Sequence, residues 1–418
     1  MKQVVQVRLE VDAAQLDVLA RTLIACNETA NLVSTIAHRE KTFRRRDLRA
    51  ITYAAARAHA GLGAQVAQAC IRKVADSYVS LRANLRNGRY GQPGSRRRRK
   101  VEANPIRFGA LSAQPFDDRC LSWAHDSDSA TGGVVSIWTV EGRLKNLRFV
   151  GEPAHIALLR AYRRGETDLV IRRRRRGGGR LVAYLIATVD VPEPAVRAGG
   201  HLGTAEGWIG VDMGIENIAV TSDRPLAHEL MGAYGAEAPD GAAGRGSVKD
   251  RRTRNRELRH QLQKTNTKSA KRLLRKRARK EARFAADVNH QISKRIVAEA
   301  ERTGRGIAVE ELTGIRERVR LRKPQRATHA SWAFAQLGLF LTYKAARAGV
   351  PIVRVDPAHT SQRCTACGHI DRRNRTSQAQ FLCRTCGYIA EHADILGADN
   401  IARRAPTTWA QSTAPGAA

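Results

Sequence analysis

The sequence predicts an α/β chain of several domains, and three observations carry that prediction. The chain has 418 residues, enough for two or three domains. Its texture switches repeatedly between helical and strand periodicity. Two cysteine pairs near the C-terminal end have the spacing of a small metal-binding module. Apolar residues make up 42%, which supports a buried core and argues against wholesale disorder.

The elements follow in order. "QVVQVRLE" (3–10) alternates as a short strand. Residues 12–87 are rich in Ala and Leu at helical spacing, as in "AAQLDVLARTLIACNETANLVS", and predict a helical bundle. "NGRYGQPGSRRRRK" (87–100) breaks it with glycines, a proline and a basic run. From about 105 to 195 the pattern is one of short strands, with "IRRRRRGGGR" (171–180) as the basic tip of a hairpin. The first half therefore reads as a β module (1–11 and 88–195) with a helical insert (12–87). Residues 193–207 read as a linker.

"WIGVDMGIENIAVTSD" (208–223) opens the second half as a strand, and a Gly/Ala-rich loop follows to about 246. A basic helix is expected from Lys249 to Arg283, with sixteen Lys/Arg against three Asp/Glu. It runs on into the amphipathic "FAADVNHQISKRIVAEAERTG". "GIAVEEL" (306–312) is an apolar strand ending in two acids, and "IRERVRLRKPQRATHAS" reads as a mobile basic loop. A helix (332–348) and the strand "VPIVRVD" lead to the cysteines, and 405–418 reads as a frayed, flexible tail. There is no internal repeat.

Lys and Arg total 73 against 39 Asp and Glu, a formal net charge of +34. An Arg-rich genome would raise arginine without depleting acids to this degree. Such a chain repels itself unless a polyanion neutralises it, and nucleic acid is the expected partner, ahead of a membrane surface. The N-terminus lacks the apolar core of a signal peptide, and no run of about 18 apolar residues occurs, so no membrane span is expected. With seven cysteines, four of them in two CxxC pairs, the chain suits reduced cytosol better than a disulfide framework.

"CTAC" (364–367) and "CRTC" (383–386) form CxxC-x15-CxxC, each followed by glycine (Gly368, Gly387). Two thiolates from each pair can meet one ion tetrahedrally, so Cys364, Cys367, Cys383 and Cys386 are expected to hold one structural zinc; an iron site of the same geometry is the alternative. Four sulfurs leave no open position, which gives the ion a folding role. His359, His369 and His392 flank the quartet and are read as surface or packing residues.

Three acids stand in unusual settings. Asp212 lies in an apolar strand, Glu310 closes another, and Asp394 sits near the start of a late helix. Each alone is as well explained as a capped, paired or surface acid. Together they suit a pair of hard divalent ions, Mg²⁺ or Mn²⁺, of the kind that serves phosphodiester hydrolysis.

"IGVDMGIENIAVTSD", "IAVEELTGI", "FAQLGLFLTYKAARAGVPIVRVDPAHTSQRC" and "HADILGADNIARR", in this order, resemble the TnpB family. These are transposon-encoded, RNA-guided DNA nucleases related to the smallest type V CRISPR effectors. The resemblance is strong over 208–404 and only architectural over 1–195. It implies an RNase H-like RuvC nuclease domain (208–358 and 389–404) with an inserted zinc ribbon (359–388). It also implies a preceding β-barrel-like wedge domain with a helical recognition insert. By motif, the catalytic acids are Asp212, Glu310 and Asp394, with Glu311 the runner-up for the second. The family commonly carries Asn and Ala where this chain has Leu396 and Gly397, and a glycine costs a helix about 1 kcal/mol relative to alanine.

The resemblance implies a guide RNA and target DNA as partners, no membrane, a monomer or homodimer on one RNA, and a cytoplasmic, nucleoid-associated location. Candidate phosphate contacts are Arg251, Arg252, Arg254, Arg256, Arg259, Lys271, Arg272, Arg275, Lys276 and Arg279, together with Arg96 to Arg99, Lys100 and Arg172 to Arg176. Phosphate contacts carry no base information, and aromatic residues are only 5%, so sequence would be read by base pairing to the guide. The expected function is an RNA-guided, metal-dependent DNA endonuclease that recognises a target-adjacent motif through its N-terminal half. A nuclease-compromised guided repressor and a compact type V effector are the alternatives. A transposase acting without RNA is a further rival, but the sequence shows no convincing His-hydrophobe-His site with a nucleophilic Tyr, and a purely structural ribosome- or RNA-associated protein has no need of the three acids.

Overall fold

The structure is a computed structural model that describes residues 1–125, 130–162, 164–173, 179–196, 200–214, 216–235, 248–311 and 333–414. The chain divides into two units, Met1–Pro192 and Glu193–Ala418.

In the first unit β1 (Lys2–Glu10) buries Val5, Val7 and Leu9 on one face and leaves the intervening residues more exposed, as its alternation requires. Asp12 then caps α1 (Ala13–Arg39) in a capping box with Gln15. Helices α2 (Arg45–His59) and α3 (Ala64–Arg86) complete the bundle, and the short α4 (Arg96–Glu102) follows. The strands are β2 (Gln114–Phe116), β3 (Leu121–His125), β4 (Gly132–Thr139), β5 (Gly142–Val150), β6 (Arg164–Arg173) and β7 (Leu181–Asp190), with α5 (Pro153–Ala161) before β6. They form one antiparallel sheet in the order β2-β6-β7-β1-β5-β4-β3. β1 lies at its centre because its two ends pair with different partners, Lys2–Arg8 with β7 and Arg8–Glu10 with β5. The helices therefore interrupt the sheet between its central strand and the rest.

The second unit is built on a sheet of four short strands in the order β11-β10-β8-β9. β8 (Trp208–Asp212), β10 (Gly306–Glu310) and β11 (Ile352–Val355) run parallel, and β9 (Val220–Thr221) runs antiparallel to β8. Parallel strands covered on both faces need continuous apolar runs, and "WIGVD" and "GIAVE" supply them. Ile209, Val211, Ile307 and Val309 pack on α6 (Arg224–Tyr234), α8 (Lys268–Thr303) and α9 (Phe334–Ala348). Trp208, Ala308, Val353 and Val355 face the other way, onto Ile401, Ala402 and Ala405 of α10 (Ala393–Thr413). Gly210 is obligatory in that second layer: a Cβ there would run into the Ala398 carbonyl of α10. Within the cysteine region, β12 (Phe381–Leu382) pairs with β13 (Ile389–Ala390).

Three expectations change. The basic stretch is two helices, α7 (Val248–Thr265) and α8, because Asn266 adopts φ 51° and Thr267 caps a new helix. They fold back on each other, with Arg277 donating to Asn255 at 2.8 Å and Arg251 lying 4.0 Å over the Phe284 ring. The tail is helical to Thr413, with Pro406 inside the helix, Ala405 buried and Trp409 against Trp208 at 5.8 Å. In the linker, Leu202 is buried and accepts the Trp208 indole N–H at 2.9 Å, so it belongs to the second unit's core. The basic loop at 315–331 and Arg174 to Arg176 lie outside the described residues. No helix among the described residues is long and apolar enough to cross a membrane.

Candidate functional site

The cysteines come together as their spacing predicts. Gly368 and Gly387 both adopt φ 74°, which closes two matching knuckles. In each, the glycine N–H donates to the first cysteine's carbonyl, Gly368 to Cys364 at 3.0 Å and Gly387 to Cys383 at 3.1 Å. All four sulfurs lie within 4.8 Å of one another, with Cys364–Cys386 at 3.7 Å and Cys367–Cys383 at 3.6 Å. Tetrahedral zinc with bonds of about 2.3 Å needs separations near these, so the sulfur set fits the ion. Backbone N–H groups of Cys386 and Thr385 help lower the Cys383 thiol to about 6, while the neighbouring sulfurs raise that of Cys386. The three flanking histidines stay outside the quartet. His392 caps α10 by accepting the Asp394 N–H at 3.1 Å, His359 lies 3.2 Å from Gln362, and His369 lies 3.9 Å from Asp371.

The acids meet for a different reason. Strand side chains alternate, so Asp212 at the end of β8 and Glu310 at the end of β10 point with Trp208 and Ala308 toward α10. Asp394 lies in the first turn of α10, where the positive end of the helix dipole favours a carboxylate. Glu311 is one residue out of phase and pairs with Arg354 at 3.5 Å on the opposite side. Asp394 is 4% exposed. Its Oδ2 accepts from Asn217 Nδ2 at 2.9 Å, and its Oδ1 from Arg375 Nη2 at 2.5 Å and Gln378 Nε2 at 3.3 Å. Glu310 accepts the Thr360 hydroxyl at 2.6 Å.

Burial, with Glu310 and Asp394 nearby, pushes the Asp212 carboxyl well above the usual range. Burial also raises Glu310, against the Thr360 hydrogen bond. Three acids thus share a poorly solvated cleft with Arg375 as the cation on Asp394. The donor set fits hard divalent cations, which take carboxylate oxygen and offset this charge. The acids are held less tightly than the cysteines. Among the described residues, only the cysteine quartet brings three or more metal-ligand atoms within 4.8 Å of one another.

The two departures in the third motif have physical roles. Leu396 is buried with Cys364, Phe381, Cys383, Ala390 and Ala393, so it joins α10 to the ribbon. Gly397 makes room for Asp212, since a Cβ there would sit 2.8 Å from Asp212 Oδ2.

Sequence reasoning missed Asn217, Thr360, Arg375 and Gln378. Asn217 and Thr360 lie inside the motifs read there, but nothing in a motif says which acid a neighbouring donor will reach. Of the candidate phosphate contacts, Arg254, Arg256, Lys271, Arg272, Arg275, Lys276 and Arg279 are exposed on α7 and α8. Arg251 is spent over Phe284, Arg259 lies 3.6 Å from Glu281, and burial holds Arg252 below its usual range. On α4, Arg97 lies over Tyr90 and Arg98 pairs with Glu102; Arg172 and Arg173 are exposed on β6.

Residues 334–401, from α9 through the ribbon into α10, match the family model "Cas12f1-like, TNB domain". The CRISPR-associated endodeoxyribonuclease Cas12f1 of Sulfoacidibacillus thermotolerans is 44% identical over 122 residues, 29% of this chain and 27% of its own. The putative RNA-guided DNA endonuclease InsQ of Escherichia coli K12 is 48% identical over 61 residues, 15% of each chain. The TnpB-like protein MJ0751 of Methanocaldococcus jannaschii is 31% identical over 135 residues, 32% of this chain and 48% of its own. The matched segments thus span from 15% to 48% of these relatives' lengths. A solved Cas12f1–sgRNA–target DNA complex has a protein chain of like fold, with TM-score 0.55 and 13% identity over 96% of this chain and 98% of that one. The TNB match, these relatives and the order of the motifs along the chain support the resemblance to the TnpB family.

Proposed function

We propose that this protein is an RNA-guided, metal-dependent DNA endonuclease whose second unit is a RuvC-like, RNase H-type nuclease domain. The observation that carries the reading is the convergence of Asp212, Glu310 and Asp394 on the α10 side of one sheet. In this reading those three acids hold two Mg²⁺ or Mn²⁺ ions, and the cysteine quartet holds one structural zinc. Bound there, the ions supply an activated water and charge stabilisation for in-line phosphodiester cleavage. The chain's own contribution is to fix the carboxylates: Asn217 and Arg375 orient Asp394, and Thr360 orients Glu310. The exposed arginines and lysines of α7 and α8 hold backbone phosphates of the guide RNA or its heteroduplex with target DNA, while base pairing reads sequence. The first unit supplies the wedge-like sheet and the helical recognition insert, which would read the target-adjacent motif. One RNA would be bound by a monomer or a homodimer.

One feature favours a second reading, a guided DNA binder that does not cut. The Arg375 guanidinium already neutralises Asp394 at 2.5 Å. The experiment that separates the two is cleavage of a guide-matched duplex in Mg²⁺, beside a gel shift on the same substrate. Wild-type protein is expected to cut, and Asp394→Ala to bind without cutting. Glu391→Ala, which removes only the exposed partner of Arg224 and His228, is expected to cut normally. Binding without cleavage by wild type in either Mg²⁺ or Mn²⁺ establishes the second reading; normal cleavage by Asp394→Ala removes the third acid from the first.

A further inference from the structure

Asp394 lies on a helix and Glu310 at the end of a strand. The contacts around Glu310 show that its strand is not all that holds it. Among the described residues, its hydrogen-bond donor is the Thr360 hydroxyl, at 2.6 Å, and Thr360 is 5% exposed. Thr360 does not belong to the sheet or to any helix. It sits in the turn between β11 and the first zinc knuckle, after His359, which has φ 60°. A non-glycine residue in that region is strained, so the turn must be held in place from outside.

What holds it is α10. Asn400 Nδ2 donates to the carbonyls of Thr360 and Arg363, both at 2.8 Å, and Asn400 is 3% exposed. Arg404, one helical turn on, donates to the carbonyls of Asp356 and Ala358. Residues four apart share a helix face, so Asn400 and Arg404 grip the turn side by side. Arg363 is directly followed by the zinc-site residue Cys364, so the same grip fixes where the ribbon begins.

We propose that α10 positions two of the three acids, carrying Asp394 directly and holding Glu310 through Asn400 and the Thr360 hydroxyl, which makes Thr360 and Asn400 positioning residues for the acid centre. The inference rests on the acid-site reading above. It gives the ribbon's leading turn a second task besides connecting strand to knuckle: it sets the direction in which the second carboxylate points. Groups that orient a metal-ligating side chain are typically worth about 10- to 100-fold in metal affinity or activity.

The test is Mn²⁺ binding to the full-length chain freed of RNA by high salt, followed by electron paramagnetic resonance. The signal lost in Asp394→Ala defines the ions at the acids. Thr360→Val keeps the shape and removes the donor, and should weaken that binding about tenfold with zinc content and melting temperature unchanged. Thr360→Ser should restore it to within about twofold. Asn400→Ala should weaken it as well, and adding it to Thr360→Val should cost little more, because both break one chain of contacts. If Thr360→Val does not fold, Thr360→Ala carries the same expectation. Wild-type affinity in the folded valine or alanine variant overturns the proposal, as does a serine variant as weak as the valine one. If wild type itself has no Asp394-dependent Mn²⁺, the acid-site reading falls and takes this inference with it. The two failures therefore give different results.

Discussion

Among the described residues, ligand-type side chains gather in two places, and they do so by opposite means. The cysteine quartet spans 23 consecutive residues and needs only two knuckles and two left-handed glycines. The acid cluster draws on residues 212, 310 and 394, and it forms only when two parallel strands and a helix are packed together. The cysteines are mutually close and ready to close on an ion. The acids are less closely gathered, and Glu310 and Asp394 are each hydrogen-bonded to other side chains, Thr360 for the first and Asn217, Arg375 and Gln378 for the second. A local site can serve as a staple for folding, whereas a site assembled from distant segments can only report that folding has succeeded.

The acid site depends on the ribbon, and that dependence can be broken experimentally. The ribbon supplies Arg375 and Gln378 to Asp394, and its leading turn supplies Thr360 to Glu310. Its apolar cluster is six residues, Cys364, Phe381, Cys383, Ala390, Ala393 and Leu396, and the last two are supplied by α10. The largest expected effect is therefore from Cys364→Ser or Cys386→Ser. Each should drop zinc from one per chain to near zero, lower solubility, and abolish cleavage as well, because structural zinc contributes on the order of 10 kcal/mol to the folding of such modules. Metal analysis beside a solubility assay checks this, and a soluble double mutant that still cuts at the wild-type rate would falsify the folding role.

A middle-sized effect is expected from the acid side. Asp212→Asn removes a charge that sits in a poorly solvated cleft beside two others. It should eliminate cleavage yet leave zinc at one per chain, and it should raise the melting temperature of the metal-free protein by a few degrees. Calorimetry in a chelator that spares zinc decides it. A lower melting temperature there means that Asp212 supports the fold and that the two sites are less separable than the contacts indicate.

The smallest effect sharpens the contrast at a single atom. Gly397→Ala gains about 1 kcal/mol of helix propensity. It also brings a methyl to within 2.8 Å of the present position of Asp212 Oδ2, so the carboxylate must turn. The expected result is unchanged or slightly higher thermal stability with a several-fold change in the Mg²⁺ concentration needed for half-maximal cleavage. An unchanged Mg²⁺ requirement shows that Asp212 is not positioned by the glycine.

The sequence by itself determined the cysteine site, the apolar strands that carry Asp212 and Glu310, and the basic stretch on α7 and α8. Each is written in neighbouring residues: a spacing, a run, a local excess of charge. It also determined where the acids lie along the chain, through motifs that extend from Asp212 to Arg404. Tertiary structure alone decided the rest. Strand phase puts Glu310 on the Asp212 side and Glu311 against Arg354. A left-handed Asn266 divides the basic stretch into two helices, and Trp208 and Trp409 keep the last helix ordered past the point where a tail was expected. The donors to the acids, Asn217, Thr360, Arg375 and Gln378, lie 16 to 177 residues from the carboxylates they reach. A hydrogen bond has no sequence signature at that separation, because its partner is chosen by the packing of helix on sheet and not by any neighbour along the chain.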